Sequence, residues 1–412
     1  MTDATDTQLA AQYEAYPYPE RDPRDEKKRL IIGSPSHLRE IDWWVFKGLR
    51  PLDRPLHALV AGGGTGDGTI MLAAHLARAN RPGSVTYLDR SAKALAIARA
   101  RAEARGLTNV MFRQGSLMDL PGLGLGPFDY IDCCGVLHHL PDPEAGLAAL
   151  VSVLAPQGGM GLMVYAPHGR TGVYMLQDAL RLLAPADQAP AARLDVAKRV
   201  MRHLPESAWL RANHNFADHI TGGEAGLYDL LLNPRDRAYD VAAFAGLLGR
   251  VGLEITALME PARYDPAVYL PDPKLRSLTR ALDPIAQAAL AEALCGNIST
   301  HVAYVVREGE APTPPDAMAP SAVPLAREAP GPELAEAIRP DGVMAFLFDG
   351  LRVPVPLPRL AGAILRRIDG ERTVGEIAAE LANPAFEGAW RETWERLSAF
   401  NRLALRPPLS GV

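Results

Sequence analysis

A glycine-rich turn and an acidic residue one strand later could bind a nucleoside. Gly62, Gly64 and Gly66 follow the apolar run Leu59–Ala61 and precede a helical pattern. Glycines in a strand-to-helix turn let a ligand approach the backbone without interference from Cβ atoms. Asp89 ends the next apolar run, about 23 residues after Gly66, where a carboxylate can accept hydrogen bonds from both ribose hydroxyl groups. These two features predict a nucleoside site without choosing among nucleoside cofactors.

Polar side chains after two later apolar runs could act on a substrate. His138 and His139 follow Tyr130–Cys134, and Tyr165 lies within Met160–Ala166. A histidine can accept a proton near neutral pH, and a tyrosine can donate a hydrogen bond. Because successive residues of an extended chain point to opposite faces, we expect one histidine to face the substrate and the other to hold the strand end. Either histidine could instead be a hydrogen-bonded structural residue.

Seven apolar runs that alternate with helical patterns predict the sheet that positions these residues. This alternation is typical of an α/β, Rossmann-like fold with a mainly parallel sheet, whose ligands collect at the carboxyl ends of the strands. Residues 169–251 are too long for a simple connection and have helical patterns, so we expect a helical insertion over that edge. Arg170 within it could pair with a substrate carboxylate or only fix the insertion. The predicted strands are His57–Ala61, Val85–Asp89, Val110–Gln114, Tyr130–Cys134, Met160–Ala166, Leu253–Leu258 and His301–Val306.

The order of these motifs resembles that of the class I S-adenosylmethionine-dependent methyltransferases. The resemblance spans roughly Leu56–Ala166 and continues more weakly to Val306. It implies a methyl-transfer enzyme that uses S-adenosylmethionine as its cofactor. The segments that carry the resemblance are Gly62–Gly66, Asp89, Gly115-Ser116-Leu117, Phe128–Leu140 and Leu154–Gly159.

The resemblance also implies where the cofactor contacts this chain. The three glycines should pass close to the methionine portion, and the acidic residue with its neighbour should hold the ribose. The residues implied are Gly62, Gly64 and Gly66 for the methionine portion, Asp89 and Arg90 for the ribose, Ser116 and Leu117 for the adenine, and Gly135 and Val136 for the floor beneath the sulfonium.

One position departs from the pattern of this family. The family commonly has an acidic residue two positions before the first glycine, and this chain has Val60 there. Direct capture of the cofactor's amino group at this position is therefore not expected. Asp67 or a residue of the N-terminal segment could take its place.

Composition and charge narrow the function classes. The formal net charge of −5 gives no bulk attraction to polyanions, so a nucleic acid substrate is not expected. Three cysteines, of which Cys133 and Cys134 are adjacent, suit a reducing cytoplasm better than a disulfide framework. The sequence shows neither a secretory signal nor a membrane-spanning run, and no group of Cys and His has zinc-site spacing.

The two ends of the chain predict additions to the methyltransferase domain, which we place at residues 51–308. Residues 1–50 are expected to form an N-terminal cap whose Tyr-Pro-Tyr-Pro segment could bring Tyr16 or Tyr18 into the site or could equally be a surface strap. Residues 309–334 are rich in Ala, Pro and Glu and are typical of a linker. Residues 335–412 contain a hairpin around Asp349-Gly350 and helical patterns at Arg359–Ile368, Val374–Leu381 and Phe386–Leu403, and Thr373 with Glu376 has the spacing of a capping box. Within this module, Ile368–Ala378 resembles the peptide-binding winged-helix domains. A helical appendage packed on the core or on a second subunit of a homo-oligomer is the alternative.

The sequence therefore predicts an S-adenosylmethionine-dependent methyltransferase with an unidentified acceptor. A protein or peptide side chain is slightly favoured over a small metabolite. The catalytic candidates are His138, His139 and Tyr165. The alternative is a sensor or scaffold protein that binds S-adenosylmethionine and does not transfer the methyl group.

Overall fold

The computed structural model describes residues 4–214 and 217–407, and the outermost residues of the predicted N-terminal cap and C-terminal module lie outside this part. A seven-stranded sheet in the order 3-2-1-4-5-7-6 forms its centre. Only β7 runs antiparallel to its neighbours. This confirms the predicted α/β, Rossmann-like fold with a mainly parallel sheet. The strands are β1 Leu56–Ala61, β2 Gly83–Asp89, β3 Val110–Gln114, β4 Phe128–Cys134, β5 Leu154–Tyr165, β6 Leu253–Met259 and β7 Thr300–Arg307.

Both faces of the sheet are covered, which explains why its strands are nearly continuous apolar runs. Ile131 and Leu162 belong to the cluster on one face, which also receives a helix from the insertion. Tyr130 and Val60 belong to the cluster on the other face, together with Ile41 from the N-terminal segment. The N-terminal segment is therefore part of the core.

The helices of the first half begin and end at recognisable residues. The side chain of Ser91 accepts a hydrogen bond from the Ala94 N–H at 3.0 Å and so caps the helix that begins at Ala92. A short turn of π-helix, Ile41–Val45, follows α2 directly. The helices are α1 Ala4–Ala15, α2 Leu38–Glu40, α3 Asp67–Arg78, α4 Ala92–Ala104 and α5 Pro143–Ser152.

The segment between β5 and β6 is helical, as its length and pattern predict. Five of its helices form an insertion with its own apolar cluster, which includes Leu194, Leu210 and Leu231. The sixth helix packs on the sheet, and two further helices lie between β6 and β7. These helices are α6 Val173–Leu183, α7 Pro190–Arg202, α8 Trp209–Ala212, α9 Asp218–Thr221, α10 Gly223–Leu232, α11 Val241–Arg250, α12 Pro273–Thr279 and α13 Pro284–Cys295.

The C-terminal module contains the predicted hairpin and helices, but the first helix is shorter than predicted, and the linker and the last helix also differ. Residues 309–334, predicted as a linker, include β8 and the start of α14, and β8 pairs with β11. The last helix ends at Ala399 because the chain turns there into β11, whereas the prediction extended it to Leu403. The elements are β8 Val323–Ala326, α14 Gly331–Glu336, β9 Val343–Phe348, β10 Leu351–Pro356, α15 Ala361–Leu365, α16 Val374–Leu381, α17 Phe386–Ala399 and β11 Leu403–Arg406.

This module packs directly on the N-terminal segment. The rings of Trp43 and Trp394 meet edge to face with centroids 5.5 Å apart. The Trp44 indole N–H donates to the Asn401 side chain at 2.9 Å, and Asn401 in turn donates to the buried carboxylate of Glu40 at 2.8 Å. Apolar and buried polar contacts thus join the module to the core.

Across residues 4–214 and 217–407, none of the helices combines the length and the apolar character that crossing a bilayer would require.

Candidate functional site

A cavity of about 500 Å³ lies at the carboxyl ends of the strands, beside β1 and β4, where the strand order reverses. Open α/β sheets bind ligands at this kind of switch point. Ten of the twelve predicted site residues line the cavity. They are Gly62, Gly64, Asp89, Arg90, Ser116, Leu117, Gly135, Val136, His139 and Tyr165.

The glycine turn has no room for side chains. At Gly62, where φ is +75°, a Cβ atom would lie 2.3 Å from Cγ2 of Val136. At Gly64, where φ is +50°, it would lie 2.9 Å from the carbonyl oxygen of Tyr18. Both positions therefore require glycine, and the bare backbone of the turn forms one wall of the cavity.

Asp89 ends β2 with its carboxylate fixed by the backbone. One oxygen accepts a hydrogen bond from the Gly64 N–H at 2.8 Å, and the other accepts one from the Ser91 N–H at 2.8 Å. Burial raises the pKa of Asp89, although these N–H groups act in the opposite direction. A carboxylate oxygen can accept more than one hydrogen bond, so both oxygens keep capacity for ligand hydroxyl groups.

Two predicted residues, Gly66 and His138, do not line the cavity. Gly66 lies at the start of α3, where a Cβ atom would be 2.9 Å from Cβ of Ala98, so it allows α3 to pack against α4. His138 is buried against the ring of Tyr165, with centroids 3.9 Å apart. Its two ring nitrogens have no hydrogen-bond partner among the described residues. Burial lowers the pKa of His138 well below its usual value, so this histidine stays neutral.

His139 is the histidine that reaches the cavity. Its Nδ1 lies 2.6 Å from the carbonyl oxygen of Arg235, so Nδ1 carries the hydrogen of the neutral ring. Nε2 then keeps its lone pair and can accept a proton. His138 and His139 belong to a short 3₁₀ turn and not to the extended strand that the prediction assumed, and of the two only His139 lines the cavity.

A polar cluster that the sequence did not reveal forms the other end of the cavity. Asp229 of α10 accepts hydrogen bonds from the hydroxyl groups of Tyr13 at 3.0 Å and Tyr165 at 3.3 Å. The amide groups of Gln12 and Asn233 donate to the same carboxylate, each at 3.3 Å. Burial raises the pKa of Tyr165 well above its usual value, so this tyrosine remains a hydrogen-bond donor.

Arg170 supports this cluster from behind. Its guanidinium group is buried, lies over the ring of Tyr165 at 3.6 Å and pairs with Asp236 at 3.0 Å. Of the two roles predicted for Arg170, these contacts favour fixing the insertion. Asp236 and Arg235 lie in the loop after α10, so one loop orients both Tyr165 and His139.

The N-terminal cap forms part of the cavity wall. Tyr18 lines it, whereas Tyr16 stacks on Tyr228 of the insertion, with centroids 5.1 Å apart. Thr65 donates its hydroxyl hydrogen to the carbonyl oxygen of Pro19 at 2.7 Å. Leu9 and Tyr13 of α1, a helix that the sequence analysis missed, also line the cavity. The cap thus contributes wall residues to both ends of the site.

Asp67, which could have replaced the acidic residue missing at position 60, is already held in ion pairs. Asp67 forms ion pairs with Arg21 and Arg101, each at 2.6 Å. Although burial raises it, the pKa of Asp67 is held below its usual value by the two arginines. A second carboxylate, Asp132 of β4, also lines the cavity, and one of its oxygens has no hydrogen-bond partner among the described residues.

Comparisons with known proteins agree with this geometry. Residues 59–160 match a family described as a methyltransferase domain. An uncharacterized protein from Synechococcus sp. is 32% identical over 278 residues, which cover 65% of this chain and 63% of that protein. The tRNA 5-carboxymethoxyuridine methyltransferase of Escherichia coli is 36% identical over 115 residues, which cover 28% of this chain and 42% of that enzyme. The chain thus spans less than two thirds of the length of these relatives.

The fold also matches a solved structure, that of PKMT2 from Rickettsia typhi in complex with AdoHcy. The match covers 90% of this chain and 75% of that one, with a TM-score of 0.60 and 16% identity. The domain match over residues 59–160 and the shared fold support a methyltransferase domain at the centre of the chain. The bare glycine turn, the fixed Asp89 and the unpartnered oxygen of Asp132 suit a ligand with ribose hydroxyl groups and a cationic amino group.

Proposed function

We propose that this protein transfers a methyl group from S-adenosylmethionine to an amine of a protein or peptide side chain. The observation that carries the proposal is a single cavity with two different ends. The glycine turn and Asp89 form one end, and His139, Tyr165 and Asp229 form the other. A cofactor at the first end and an acceptor at the second would meet inside a closed site.

The charge of the second end favours an amine over an acidic acceptor. The four groups that hydrogen-bond to Asp229 are neutral, so none of them supplies a positive charge to pair with its carboxylate at the wall of the cavity. Buried charge is stabilised by a partner of opposite sign, and aromatic rings such as that of Tyr13 also attract cations. An amine can supply that partner and later lose its proton.

The chemistry requires positioning more than activation. S-adenosylmethionine carries its methyl group on a sulfonium, a good leaving group, so transfer is an in-line displacement that depends on alignment and exclusion of water. α1 and the residues around Tyr18 cover the site. His139 can accept the proton that an amine must lose, through the free lone pair of Nε2. Tyr165 and Asp229 orient the acceptor.

The C-terminal module is the reason for favouring a protein or peptide over a small metabolite. We propose that residues 335–412 form a winged-helix-like module that recruits the acceptor, which raises its local concentration without changing the cavity. Leu347 on β9 is 71% exposed and is available for such contact. Leu347→Asp should then raise KM for the natural acceptor and leave kcat unchanged. An unchanged KM would contradict recruitment through this hairpin.

The similarity to a tRNA-modifying enzyme does not by itself assign an acceptor to this chain. It covers 28% of this chain. The net charge of −5 and the carboxylate at the acceptor end of the cavity disfavour a nucleic acid acceptor. The alternative of a non-catalytic sensor is not favoured by these comparisons.

The test is transfer of a labelled methyl group in a lysate. Wild-type protein and Asp229→Asn are incubated with labelled S-adenosylmethionine, and labelled products are identified by mass spectrometry. We expect label on amine groups of proteins or peptides with wild type, and a large loss of label with Asp229→Asn. Label on tRNA or on a small metabolite would overturn the acceptor class. Tight cofactor binding with no labelled product in any fraction would favour the sensor.

A further inference from the structure

At Val60 this chain lacks the acidic residue that the methyltransferase family commonly has, and Asp132 lies beside that position. In the parallel pairing of β1 with β4, the direct partner of Val60 is Asp132. Paired residues of neighbouring strands project from the same face of a sheet. Both Val60 and Asp132 line the cavity. The carboxylate of Asp132 on β4 therefore lies on the same face of the sheet as a carboxylate at position 60 of β1 would.

The carboxylate of Asp132 has few hydrogen-bond donors: the Ser36 hydroxyl group and the Cys134 N–H act to lower its pKa, but burial outweighs them. Its side chain is 1% exposed, and its Oδ2 accepts a hydrogen bond from the hydroxyl group of Ser36. Its Oδ1 is buried and has no hydrogen-bond partner among the described residues. Burying a carboxylate without enough hydrogen-bond donors costs free energy. A positively charged group of a bound ligand would offset this cost by donating a hydrogen bond to the carboxylate.

Asp132 is also at the appropriate end of the cavity. A Cβ atom at Gly68, in the first turn of α3, would lie 2.9 Å from Oδ2 of Asp132. The carboxylate therefore lies against the helix that the glycine turn begins. Four other carboxylates of the cavity wall have partners: two arginines each hold Asp67 and Asp6, backbone N–H groups hold Asp89, and the tyrosines of the acceptor end hold Asp229. Glu14, which also lines the cavity, is exposed, whereas Asp132 is buried.

We propose that Asp132 receives the amino group of the cofactor's amino-acid part, so that β4 supplies the carboxylate that β1 lacks at Val60. This inference rests on the proposed use of S-adenosylmethionine. It makes Asp132 a binding residue that fixes the position of the methionine portion relative to the ribose on Asp89. No bond forms or breaks at Asp132.

Two ligands that differ in one part test this assignment. S-adenosylhomocysteine carries the amino-acid part, and 5′-methylthioadenosine does not. We expect Asp132→Asn to weaken S-adenosylhomocysteine binding in calorimetry by roughly tenfold to a hundredfold, since a charge-assisted hydrogen bond is lost. Its affinity for 5′-methylthioadenosine should stay unchanged. Asp129→Asn, on the same strand but outside the cavity wall, is the matched control and should leave both affinities unchanged.

A swap variant sharpens the test. The double variant Val60→Asp with Asp132→Val returns the carboxylate to β1, and we expect it to recover most of the lost affinity for S-adenosylhomocysteine. Asp132→Ser provides the same comparison if the Asn variant does not fold. Equal weakening of both ligands, or unchanged S-adenosylhomocysteine binding, would overturn the role of Asp132. Weaker binding of S-adenosylmethionine alone would assign Asp132 to the sulfonium instead. If the wild type binds none of these nucleosides, the proposed function itself fails.

Discussion

Asp89 joins the glycine turn to the next helix and has capacity for a ribose, so its loss should affect ligand binding more than folding. We predict that Asp89→Ala weakens binding of S-adenosylhomocysteine by about 1.5–3 kcal/mol, roughly tenfold to over a hundredfold. Calorimetry on the folded variant measures this loss. Asp187→Ala, an exposed site outside the cavity wall, should bind like the wild type. Unchanged affinity in Asp89→Ala would remove this residue from the site.

The two adjacent histidines should behave differently on substitution. His139→Asn keeps a donor for the Arg235 carbonyl and removes the base, so we predict a loss in kcat of about 10²–10⁴-fold with cofactor affinity unchanged. His138→Phe keeps a ring against Tyr165 and removes two unpartnered nitrogens, so activity should persist and stability should not fall. Full turnover by His139→Asn would mean that proximity alone drives transfer.

The free protein should lose stability as Asp132 ionises. Burial raises the pKa of Asp132 to about 7 from a usual value near 4, so between these values the folded state holds a proton that the unfolded state has lost. Stability therefore falls as the pH rises through this window, and the penalty is complete above pH 7. Asp132→Asn should remove this slope, which makes the ligand-free variant more stable than wild type at pH 8. Melting temperatures of both proteins are measured at pH 5 and at pH 8. If wild type and Asp132→Asn differ by the same amount at both pH values, the prediction is wrong.

The sequence identified the cofactor end of the site much better than the acceptor end. Gly62 and Gly64 lie in the turn after β1, and Asp89 ends the neighbouring strand β2. Their spacing in the sequence is therefore characteristic, because these adjacent elements contact the same ligand. Tyr165 and Asp229 meet only through the fold, 64 residues apart in the chain, so no spacing could reveal them. The position of Asp132 could have been recognised from the sequence, because an acidic residue in the middle of an apolar central strand is unusual.

At the scale of the elements, the N-terminal cap depends on a few contacts with the glycine turn. Arg21 pairs with Asp67 at 2.6 Å, and this pair holds the cap against the start of α3. We predict that Arg21→Gln speeds dissociation of S-adenosylhomocysteine by about threefold to tenfold, as a partly exposed charged contact would. Stopped-flow fluorescence measures this rate. Arg24→Gln, whose partner Asp22 lies within the cap, is the control and should dissociate like wild type.

Elements were predictable where local pattern and packing agree. β3 and α16 have the predicted bounds, and Thr373 with Glu376 forms the predicted capping box. α1 was missed because Ala4–Ala15 mixes alanine with polar residues and shows no regular apolar face. Its position is set by contacts with α10 such as Tyr13 with Asp229, which a local pattern does not contain.

At the scale of the whole molecule, the C-terminal module covers part of the N-terminal segment. Glu40 is buried and accepts hydrogen bonds from Ser34 at 2.6 Å, from Tyr304 at 2.5 Å and from Asn401 of the module at 2.8 Å. Arg327, which lies in the predicted linker, also pairs with this carboxylate. The sequence could not predict this contact, because Glu40 and Asn401 lie at opposite ends of the chain.

This interface predicts that the module stabilises the catalytic domain. Truncation after Gly309 would expose Trp43 and remove two partners of Glu40, and loss of the buried Trp43 surface alone costs about 1.5–3 kcal/mol. We therefore expect a lower melting temperature or insoluble protein. Asn401→Ala in the full chain should reproduce part of the effect, about 1–3 kcal/mol, because it leaves buried polar groups unpaired. Leu347→Ser, at an exposed position of the same module, should melt like the wild type. If the truncated chain instead melts like the full protein and binds S-adenosylhomocysteine equally well, the module is an independent unit, and only recruitment of the acceptor would remain as its role.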